Sequence, residues 1–350
     1  MERLRVIQWN TGKVGKVAMQ AILDDPRLEL AGVYAWSPEK VGTDAGDLCG
    51  RPATGIAATN DIDELIATGA DVVVYTPFTG DVDHVVRLLE NGMDVLSTNL
   101  FFHVGGVQGE VKDRFEAACR RGGSSIFITG VNPGWINAIT TAMTAVCRRV
   151  DSVAVYESAN CTVYESPETW GYFGMGEEGF TPERYEAAKT WLAMFRDALV
   201  RMGDALGFAF DDIEFYCEYA TAAEDVDLGW FRMAKGTNAA LRGGWLGKVG
   251  GKVRVRNQVT WYLTKKLAEG WEIDDDEYHL VVEGEPGVDT RIRFKAPPGW
   301  SNGDWDSLTS SPTVNAILQV KAARPGVLTL HDVGLPHAPA GEWERAGRAT

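Results

Sequence analysis

The sequence lacks the features that mark several classes of protein. No run approaches the roughly 18 uncharged apolar residues that a membrane-spanning helix needs. The five cysteines are widely spaced, form no C-x-x-C pair and have no histidine at metal-ligand spacing, so we expect reduced structural thiols and no metal site. The first residues lead straight into a predicted strand rather than a basic and apolar leader, and these absences together favour a cytoplasmic protein.

Positive charge is also scarce. The chain has 34 lysines and arginines against 49 aspartates and glutamates, a net charge of −15. Such a surface repels phosphodiester backbones and anionic lipid, so we expect neither nucleic acid nor a membrane as a partner. A local basic pocket for one phosphorylated cofactor remains compatible with this charge.

The order of predicted elements indicates two domains, which suits a chain of 350 residues. Up to about residue 150, apolar strand segments alternate with amphipathic helical segments, the α/β pattern of a Rossmann-type, doubly wound parallel sheet. Beyond that point, alternating segments predict an α+β second domain with a mainly antiparallel sheet. The predicted boundaries are a Rossmann domain over 1–148, a second domain over 149–310, a helix and strand returning to the first domain over 311–335, and a loose tail over 336–350.

Two further stretches of the second domain have recognisable patterns. The glycine-rich aromatic stretch at 169–180 predicts a loop. After it, Thr181 and Pro182 are typical of a helix start, and the apolar spacing predicts one helix as far as Gly207.

The stretch QWNTGKVGK at 8–16 stands between the first predicted strand and the first predicted helix. A dinucleotide-binding turn reads G-x-G-x-x-G, and Gly12 and Gly15 keep its last two glycines, which let phosphates approach the backbone and let helix and strand pack closely. Asn10 replaces the first glycine, and asparagine is the non-glycine residue that best tolerates the unusual dihedrals needed there. A purely structural turn is the alternative. The residues that we expect to bind a cofactor pyrophosphate are Asn10, Thr11, Gly12, Lys13, Val14 and Gly15.

The end of the second predicted strand bears on the choice between NAD and NADP. An acidic residue there binds the ribose 2′-hydroxyl, whereas a nearby cation accommodates a 2′-phosphate. Residues 34–36 read Tyr-Ala-Trp and contain no acid, and Ser37 and Lys40 suit a phosphate, although Glu39 lies between them. The sequence therefore favours NADP over NAD, and the alternative interpretation of Lys40 is a solvated loop lysine.

Five segments resemble the dihydrodipicolinate reductase-like NAD(P)-dependent oxidoreductases, in the branch of 2,4-diaminopentanoate dehydrogenase and the native amine dehydrogenases. They are VIQWNTGKVGK (6–16), SPEKVGTDAGDLCG (37–50), GVNPGW (130–135), FGMGEEGFTPE (173–183) and SPTVNAILQVKAARPGV (311–327). The resemblance implies a Rossmann domain, a second domain that covers the nicotinamide and forms a homodimer, and a C-terminal helix that docks back.

The resemblance also places polar residues at the carboxyl ends of strands, around the cofactor. It implies that Thr76 and Pro77 border the cofactor, that Thr98, Asn99 and Asn132 lie beside the nicotinamide, and that Asn315 reaches its carboxamide. The alternative is structural, since threonine is common in strands and an Asn-Pro pair is common in turns.

The expected acid–base residue is missing. The amine dehydrogenases of this family carry a catalytic glutamate just after the strand that corresponds to MDVLST (93–98), whereas STNLFFHV (97–104) contains no acid here. Asn99 cannot exchange a proton, but His103 can do so near neutral pH. Tyr164, Glu165 and Tyr172, in or beside the aromatic loop, are further candidates for the proton donor. A histidine that is merely packed between aromatic residues is the alternative for His103.

The surroundings of the expected substrate position are apolar. No lysine or arginine falls in 151–183, and such a pocket favours a small apolar carbonyl or amine. We expect an oxidoreductase that transfers hydride to or from a C=N or C=O carbon; a catalytically silent NADP(H)-binding sensor or regulatory protein is the alternative. The residues that line this position or pack in the core are Trp135, Trp170, Tyr172, Phe173, Met175 and Phe180.

Overall fold

The computed structural model describes residues 2–77, 79–98 and 109–339. The chain divides into two compact units, one formed by 1–135 with 303–350 and the other by 136–302. The strands are β1 Leu4–Trp9, β2 Leu28–Tyr34, β3 Val72–Tyr75, β4 Asp94–Ser97, β5 Ser125–Ile128, β6 Arg149–Asn160, β7 Asp212–Thr221, β8 Val226–Asp227, β9 Arg232–Met233, β10 Asn238–Val249, β11 Lys252–Tyr262, β12 Glu277–Glu285, β13 Val288–Ile292 and β14 Gly326–Leu328. The helices are α1 Lys13–Asp24, α2 Ala45–Cys49, α3 Ile62–Ala67, α4 Val82–Glu90, α5 Gly109–Gly122, α6 Ile136–Met143, α7 Pro167–Tyr172, α8 Pro182–Trp191, α9 Ala193–Leu206, α10 Ser307–Asn315, α11 Ile317–Ala322 and α12 Leu330–Val333.

The first unit is built on a parallel sheet with the strand order β14-β5-β4-β3-β1-β2. The central strands β3, β4 and β5 are buried along their whole length, which explains their unbroken apolar character in the sequence. Because β2 and β3 lie on opposite sides of β1, the strand order reverses there, and a crevice opens at the carboxyl ends of such strands. This geometry confirms the predicted doubly wound α/β sheet.

The second unit is built on a sheet with the order β13-β12-β6-β11-β10-β7, in which every neighbouring pair is antiparallel except β6 and β11. One face is apolar and packs on α9, and the indole of Trp245 on this face donates to the Leu192 carbonyl at 2.7 Å. The opposite face carries polar side chains such as Tyr156, Arg256 and Gln258. The mainly antiparallel second domain expected from the alternating segments is confirmed.

Local patterns misplaced some helices of the second unit. The single helix expected from Thr181 to Gly207 is two helices, α8 and α9, separated at the fully buried Leu192. The carbonyl of Leu192 accepts the hydrogen bond from Trp245, a tertiary contact that helical periodicity does not encode. The stretch 169–180, expected to be a loop, begins inside the short helix α7.

The two units divide at positions different from the predicted boundaries of 148/149 and 310/311. The observed divisions follow Trp135 and Asn302. The helix α6 belongs to the second unit, where it packs on α9 and on the strands β6 and β12. The helix α10 belongs to the first unit because it packs on α1. Across the described ranges, every helix is too short or too polar to cross a membrane.

Candidate functional site

The turn between β1 and α1 forms without its first glycine. The backbone of Asn10 adopts a φ of 74°, and Asn10 is the one non-glycine residue with positive φ in the part of the chain that the structure describes. Its N–H donates to the Tyr34 carbonyl at 3.0 Å, which ties the turn to the end of β2. Asparagine tolerates this left-handed conformation better than other side chains do. The backbone role of the missing glycine is therefore filled.

Gly12 and Gly15 serve different physical purposes. A Cβ on Gly15 would lie 2.2 Å from the Asn10 carbonyl oxygen and 2.8 Å from Thr76 Oγ1, so only glycine lets α1 approach the turn. A Cβ on Gly12, the N-cap residue of α1, would meet no atom within 4 Å. The absence of a side chain at Gly12 thus leaves space at the positive end of a helix, where a pyrophosphate is stabilised.

A buried glutamine that the sequence analysis missed holds this turn in place. Gln8 is fully buried in β1, and its Nε2 donates to the Asn10 carbonyl at 2.9 Å and to Thr76 Oγ1 at 2.8 Å. The Thr76 hydroxyl in turn donates to the Trp9 carbonyl at 3.0 Å. Thr76 therefore braces the turn with its side chain. The sequence feature that could have identified Gln8 is its position as the amide residue within the apolar run Val6-Ile7-Gln8-Trp9.

The side-chain oxygen of Asn10 is buried and has no hydrogen-bond partner within the described residues. Buried acceptors are normally paired, so this oxygen is suited to a donor supplied by a ligand, such as a ribose hydroxyl. The open space at Gly12 and this acceptor lie in the same turn. Both observations fit a dinucleotide with a pyrophosphate and ribose hydroxyls.

The loop after β2 lies against the same turn. Lys40 ends a 3₁₀ helix at Pro38–Lys40, and its Nζ donates to the Thr11 carbonyl at 3.2 Å. Ser37 is the N-cap of that 3₁₀ helix. The structure therefore brings Lys40 of the loop into contact with Thr11 of the glycine turn.

The remaining predicted cofactor residues lie at strand ends and on the returning helix of the first unit. Thr98 follows β4 and its N–H donates to the Tyr75 carbonyl at 3.2 Å. Asn132 lies in a kinked turn at Val131–Trp135, which packs against α10, the helix that ends at Asn315. Thr313 Oγ1 donates to the Thr129 carbonyl at 3.2 Å. The buried Thr129 hydroxyl, which the sequence analysis did not single out, lacks a partner among the described residues.

The other predicted site residues of this unit lie near the glycine turn or outside the described ranges. Pro77 directly follows Thr76, and Lys13 and Val14 form the first turn of α1. Asp306 experiences the positive charge of Lys13, which opposes the rise of the Asp306 pKa that burial causes. Asn99 and His103 lie outside the described residues.

The proton-donor candidates of the second unit are exposed within that unit. Tyr164 contacts Trp170 edge-on, with ring centres 5.8 Å apart, and Tyr172 lies on Trp191 with ring centres 5.1 Å apart. Glu165 is also exposed. Trp170, Phe173 and Met175 are buried in this unit, whereas Phe180 is exposed.

The cysteines and the possible metal ligands are distributed as follows. All five cysteines are free, and burial raises the pKa of Cys119 to about 11 and that of Cys217 to about 12, which keeps both thiols neutral. No group of three or more histidine, cysteine, aspartate or glutamate side chains that could hold a metal ion occurs in the ranges that the structure covers.

Part of the chain matches a known protein family. Residues 6–98 match the family described as dihydrodipicolinate reductase, N-terminus, a range that runs from within β1 through the glycine turn to the end of β4. The chain is an enzyme similar to the dihydrodipicolinate reductase-like oxidoreductases, in the branch that includes the amine dehydrogenases, which confirms the resemblance seen in the sequence.

Two relatives from this branch are similar to the chain over nearly its full length. It is 27% identical to an amine dehydrogenase of Streptomyces virginiae, over 95% of this chain and 96% of the relative. It is 22% identical to a 2,4-diaminopentanoate dehydrogenase of Acetoanaerobium sticklandii, over 98% of this chain and 97% of the relative. The structure of an amine dehydrogenase from Mycobacterium smegmatis matches with a TM-score of 0.79 at 18% identity, over 96% of this chain and 97% of that one, which confirms the fold.

Proposed function

We propose that this enzyme is NAD(P)-dependent and transfers a hydride to or from the C=N or C=O carbon of a small apolar substrate. The observation that carries the proposal is the turn after β1, where Asn10 takes the left-handed backbone and Gly12 leaves open space at the start of α1. The names of the two full-length relatives, amine dehydrogenase and 2,4-diaminopentanoate dehydrogenase, support CH–NH₂ chemistry.

In this proposal the residues of the turn bind the cofactor. The backbone N–H groups from Gly12 to Gly15 receive the pyrophosphate at the positive end of α1. Gln8 and Thr76 keep the turn rigid through their hydrogen bonds to Asn10, Trp9 and each other. Pro77 borders the cofactor. Thr98, Asn99 and Asn132 lie beside the nicotinamide, and Asn315 reaches its carboxamide. The bound cofactor supplies the hydride chemistry, so the protein must supply position and a proton.

No glutamate directly follows β4, so we assign proton transfer to other side chains that can donate a proton. His103 is the first candidate because imidazole donates and accepts a proton near neutral pH. Tyr164, Glu165 and Tyr172 are the others. Reductive amination needs a base that keeps ammonia unprotonated and an acid that expels water, and one group can do both.

The cofactor preference is proposed to be NADP. The end of β2 at Tyr34 offers no carboxylate for a ribose 2′-hydroxyl, and Lys40 is held over the turn by its bond to Thr11. Lys40→Ala should weaken NADPH binding several-fold more than NADH binding, because only NADPH carries the 2′-phosphate. Equal losses for both dinucleotides would show that Lys40 supports the turn and does not select the cofactor.

We also propose that the enzyme is a cytoplasmic homodimer that pairs through the polar face of the second sheet. On this face Tyr216 donates to Gln258 at 2.6 Å and accepts from Arg256 at 3.0 Å. The face carries arginines and acids together, so that a twofold axis would bring opposite charges of two copies into register. The charged residues on it are Arg242, Arg256, Arg291, Glu214, Glu218 and Asp289.

Consumption of NADPH and NADH with apolar ketones and aldehydes, each with and without ammonium, tests the proposed reaction. Ammonium-dependent consumption would support an amine dehydrogenase, and consumption indifferent to ammonium would support a carbonyl reductase. Tight NADPH binding with no turnover across the panel would favour a silent NADP(H)-binding sensor. In the active case, His103→Ala should abolish turnover while NADPH binding survives; unchanged turnover would overturn the assignment of His103.

A further inference from the structure

The residue directly beyond the end of β2 has an unusual exposure. The side chain of Trp36 is 74% exposed, the highest fraction among the large hydrophobic side chains in the described ranges. An isolated exposed apolar residue needs no explanation on a protein surface. The position of Trp36 is what makes it informative, since it stands two residues after Tyr34, where β2 ends.

The backbone around Trp36 is firmly fixed. The Tyr34 ring stacks on Trp9 with ring centres 4.1 Å apart and planes within 6°, and both side chains are buried. Ala35 is fully buried, and its N–H donates to the Thr59 carbonyl at 2.9 Å. The indole of Trp36 is therefore presented to solvent from a rigid strand end.

This strand end is joined to the glycine turn on both sides of Trp36. Before it, the Tyr34 carbonyl accepts from the Asn10 N–H at 3.0 Å. After it, Lys40 donates to the Thr11 carbonyl at 3.2 Å. The loop that carries Trp36 thus lies beside the turn that is proposed to bind the pyrophosphate.

The position of the loop suits an aromatic contact with the adenine of a dinucleotide. In a doubly wound sheet the adenosine half of a dinucleotide lies over the end of the second strand. Here residues 34–36 include no acid for the ribose hydroxyls, so this strand end does not offer that usual contact. A flat indole beside the site can supply a different contact, because purine bases stack on aromatic side chains.

We propose that Trp36 stacks on the adenine of the cofactor and contributes to the affinity for both NADPH and NADH. This inference rests on the proposed dinucleotide binding. It separates the roles within the loop: Trp36 contacts the base, which the two cofactors share, whereas Ser37 and Lys40 contact the 2′-phosphate, which only NADPH carries.

Isothermal titration calorimetry on the full chain tests this inference. The wild type, Trp36→Ala and Trp36→Phe would each be titrated with NADPH, with NADH and with reduced nicotinamide mononucleotide, which has no adenine. Trp36→Ala should weaken both dinucleotides by the same factor, about tenfold, and leave the mononucleotide unchanged. Trp36→Phe should retain most of the affinity. Val41→Ala is the matched control, because Val41 is a 40% exposed apolar residue of the same loop, and it should change no affinity.

Each other outcome has a definite meaning. Dinucleotide affinities that are equal in the wild type and Trp36→Ala would overturn the stacking role and leave the proposed function standing. Weaker binding of the mononucleotide in Trp36→Ala would also overturn it, since the effect would then come from the turn. A wild type that binds neither dinucleotide would contradict the proposed function itself.

Discussion

At the scale of single residues, small side chains and one asparagine determine the candidate site. Asn10 was correctly expected to tolerate the backbone that the first glycine of the pattern normally adopts, and its φ of 74° shows why. Gly12 and Gly15 look equivalent in a sequence pattern, yet only Gly15 is confined by neighbouring atoms. The fingerprint could therefore be recognised from the sequence, but the division of labour between its glycines could not.

Gly12→Ala and Gly15→Ala should separate packing from binding. Gly15→Ala places a Cβ 2.2 Å from the Asn10 carbonyl oxygen, so we expect the free energy of unfolding to fall by about 1–3 kcal/mol through overpacking. Gly12→Ala meets no atom within 4 Å and should change that free energy by less than about 0.5 kcal/mol. Urea denaturation of both variants would measure the difference, and a Gly12→Ala protein as unstable as Gly15→Ala would contradict it.

Asp44 should make stability depend on acid pH. Its carboxylate accepts backbone N–H bonds from Thr54 at 2.9 Å, and from Gly46 and Gly55 at 2.7 Å, and these bonds hold the pKa of Asp44 below its usual value of 3.8. A depressed folded-state pKa means that the stabilisation is present above the unfolded-state value and is lost as the pH falls through the folded-state value.

Asp44→Asn tests this dependence. The difference in unfolding free energy between the wild type and Asp44→Asn should be largest near neutral pH and should shrink below about pH 4. Urea denaturation at pH 7 and pH 3 would measure it. Asp47→Asn, an exposed acid of the same helix, is the control and should give a smaller difference at pH 7. A difference for Asp44→Asn that grows on acidification would refute the assignment.

At the scale of elements, local sequence patterns located most strands and helices of the first unit, because buried strands alternate there with amphipathic helices. They failed where a distant contact sets an element end. The break between α8 and α9 coincides with the hydrogen bond from Trp245 to Leu192, residues 53 positions apart in the chain. Gln8 was overlooked for a similar reason, since its partner Thr76 is 68 residues away. Such contacts carry no signal in a short window of sequence.

Trp245→Phe tests the contribution of that contact. The variant keeps an aromatic ring in the buried position but removes the donor to the Leu192 carbonyl, and we expect a loss of about 1–3 kcal/mol in the free energy of unfolding. Thermal or urea unfolding measures it. Trp36→Phe, at an exposed position, is the matched control and should cost little. Equal stability of the wild type and Trp245→Phe would show that this hydrogen bond does not stabilise the break between α8 and α9.

At the scale of the whole molecule, the chain has a parallel-sheet unit that carries the glycine turn and a second unit whose sheet has one polar face. The fold class was accessible from the sequence because the change from helix–strand alternation to alternating strands is strong. The boundaries between the units were harder to predict from the sequence, since they depend on which unit α6 and α10 pack against. The absence of an acidic residue from 99–104 is a property of the sequence alone, because these residues lie outside the described ranges.

The proposed dimer can be disrupted at one charge. Arg256 donates to Tyr216 on the polar face of the second sheet, so Arg256→Glu places a like charge among the acids of a facing copy. We expect the wild type to have the mass of two chains and Arg256→Glu to shift toward one. Light scattering coupled to size-exclusion chromatography gives both masses. Arg232→Glu, at an exposed position of β9, is the control and should stay dimeric; a monomeric wild type would refute the dimer.

A turn with asparagine in the first glycine position should still bind a nicotinamide dinucleotide. The most direct test of this binding is the dissociation constant of NADPH and NADH for the wild type, Gly12→Ala and Asn10→Gly, measured by calorimetry. We expect the wild type and Asn10→Gly both to bind at least one dinucleotide, Asn10→Gly several-fold more weakly because it lacks the buried side-chain oxygen. Gly12→Ala should lose most of the affinity while remaining folded. A folded wild type that binds neither dinucleotide, or a Gly12→Ala variant that binds as well as the wild type, would contradict this expectation.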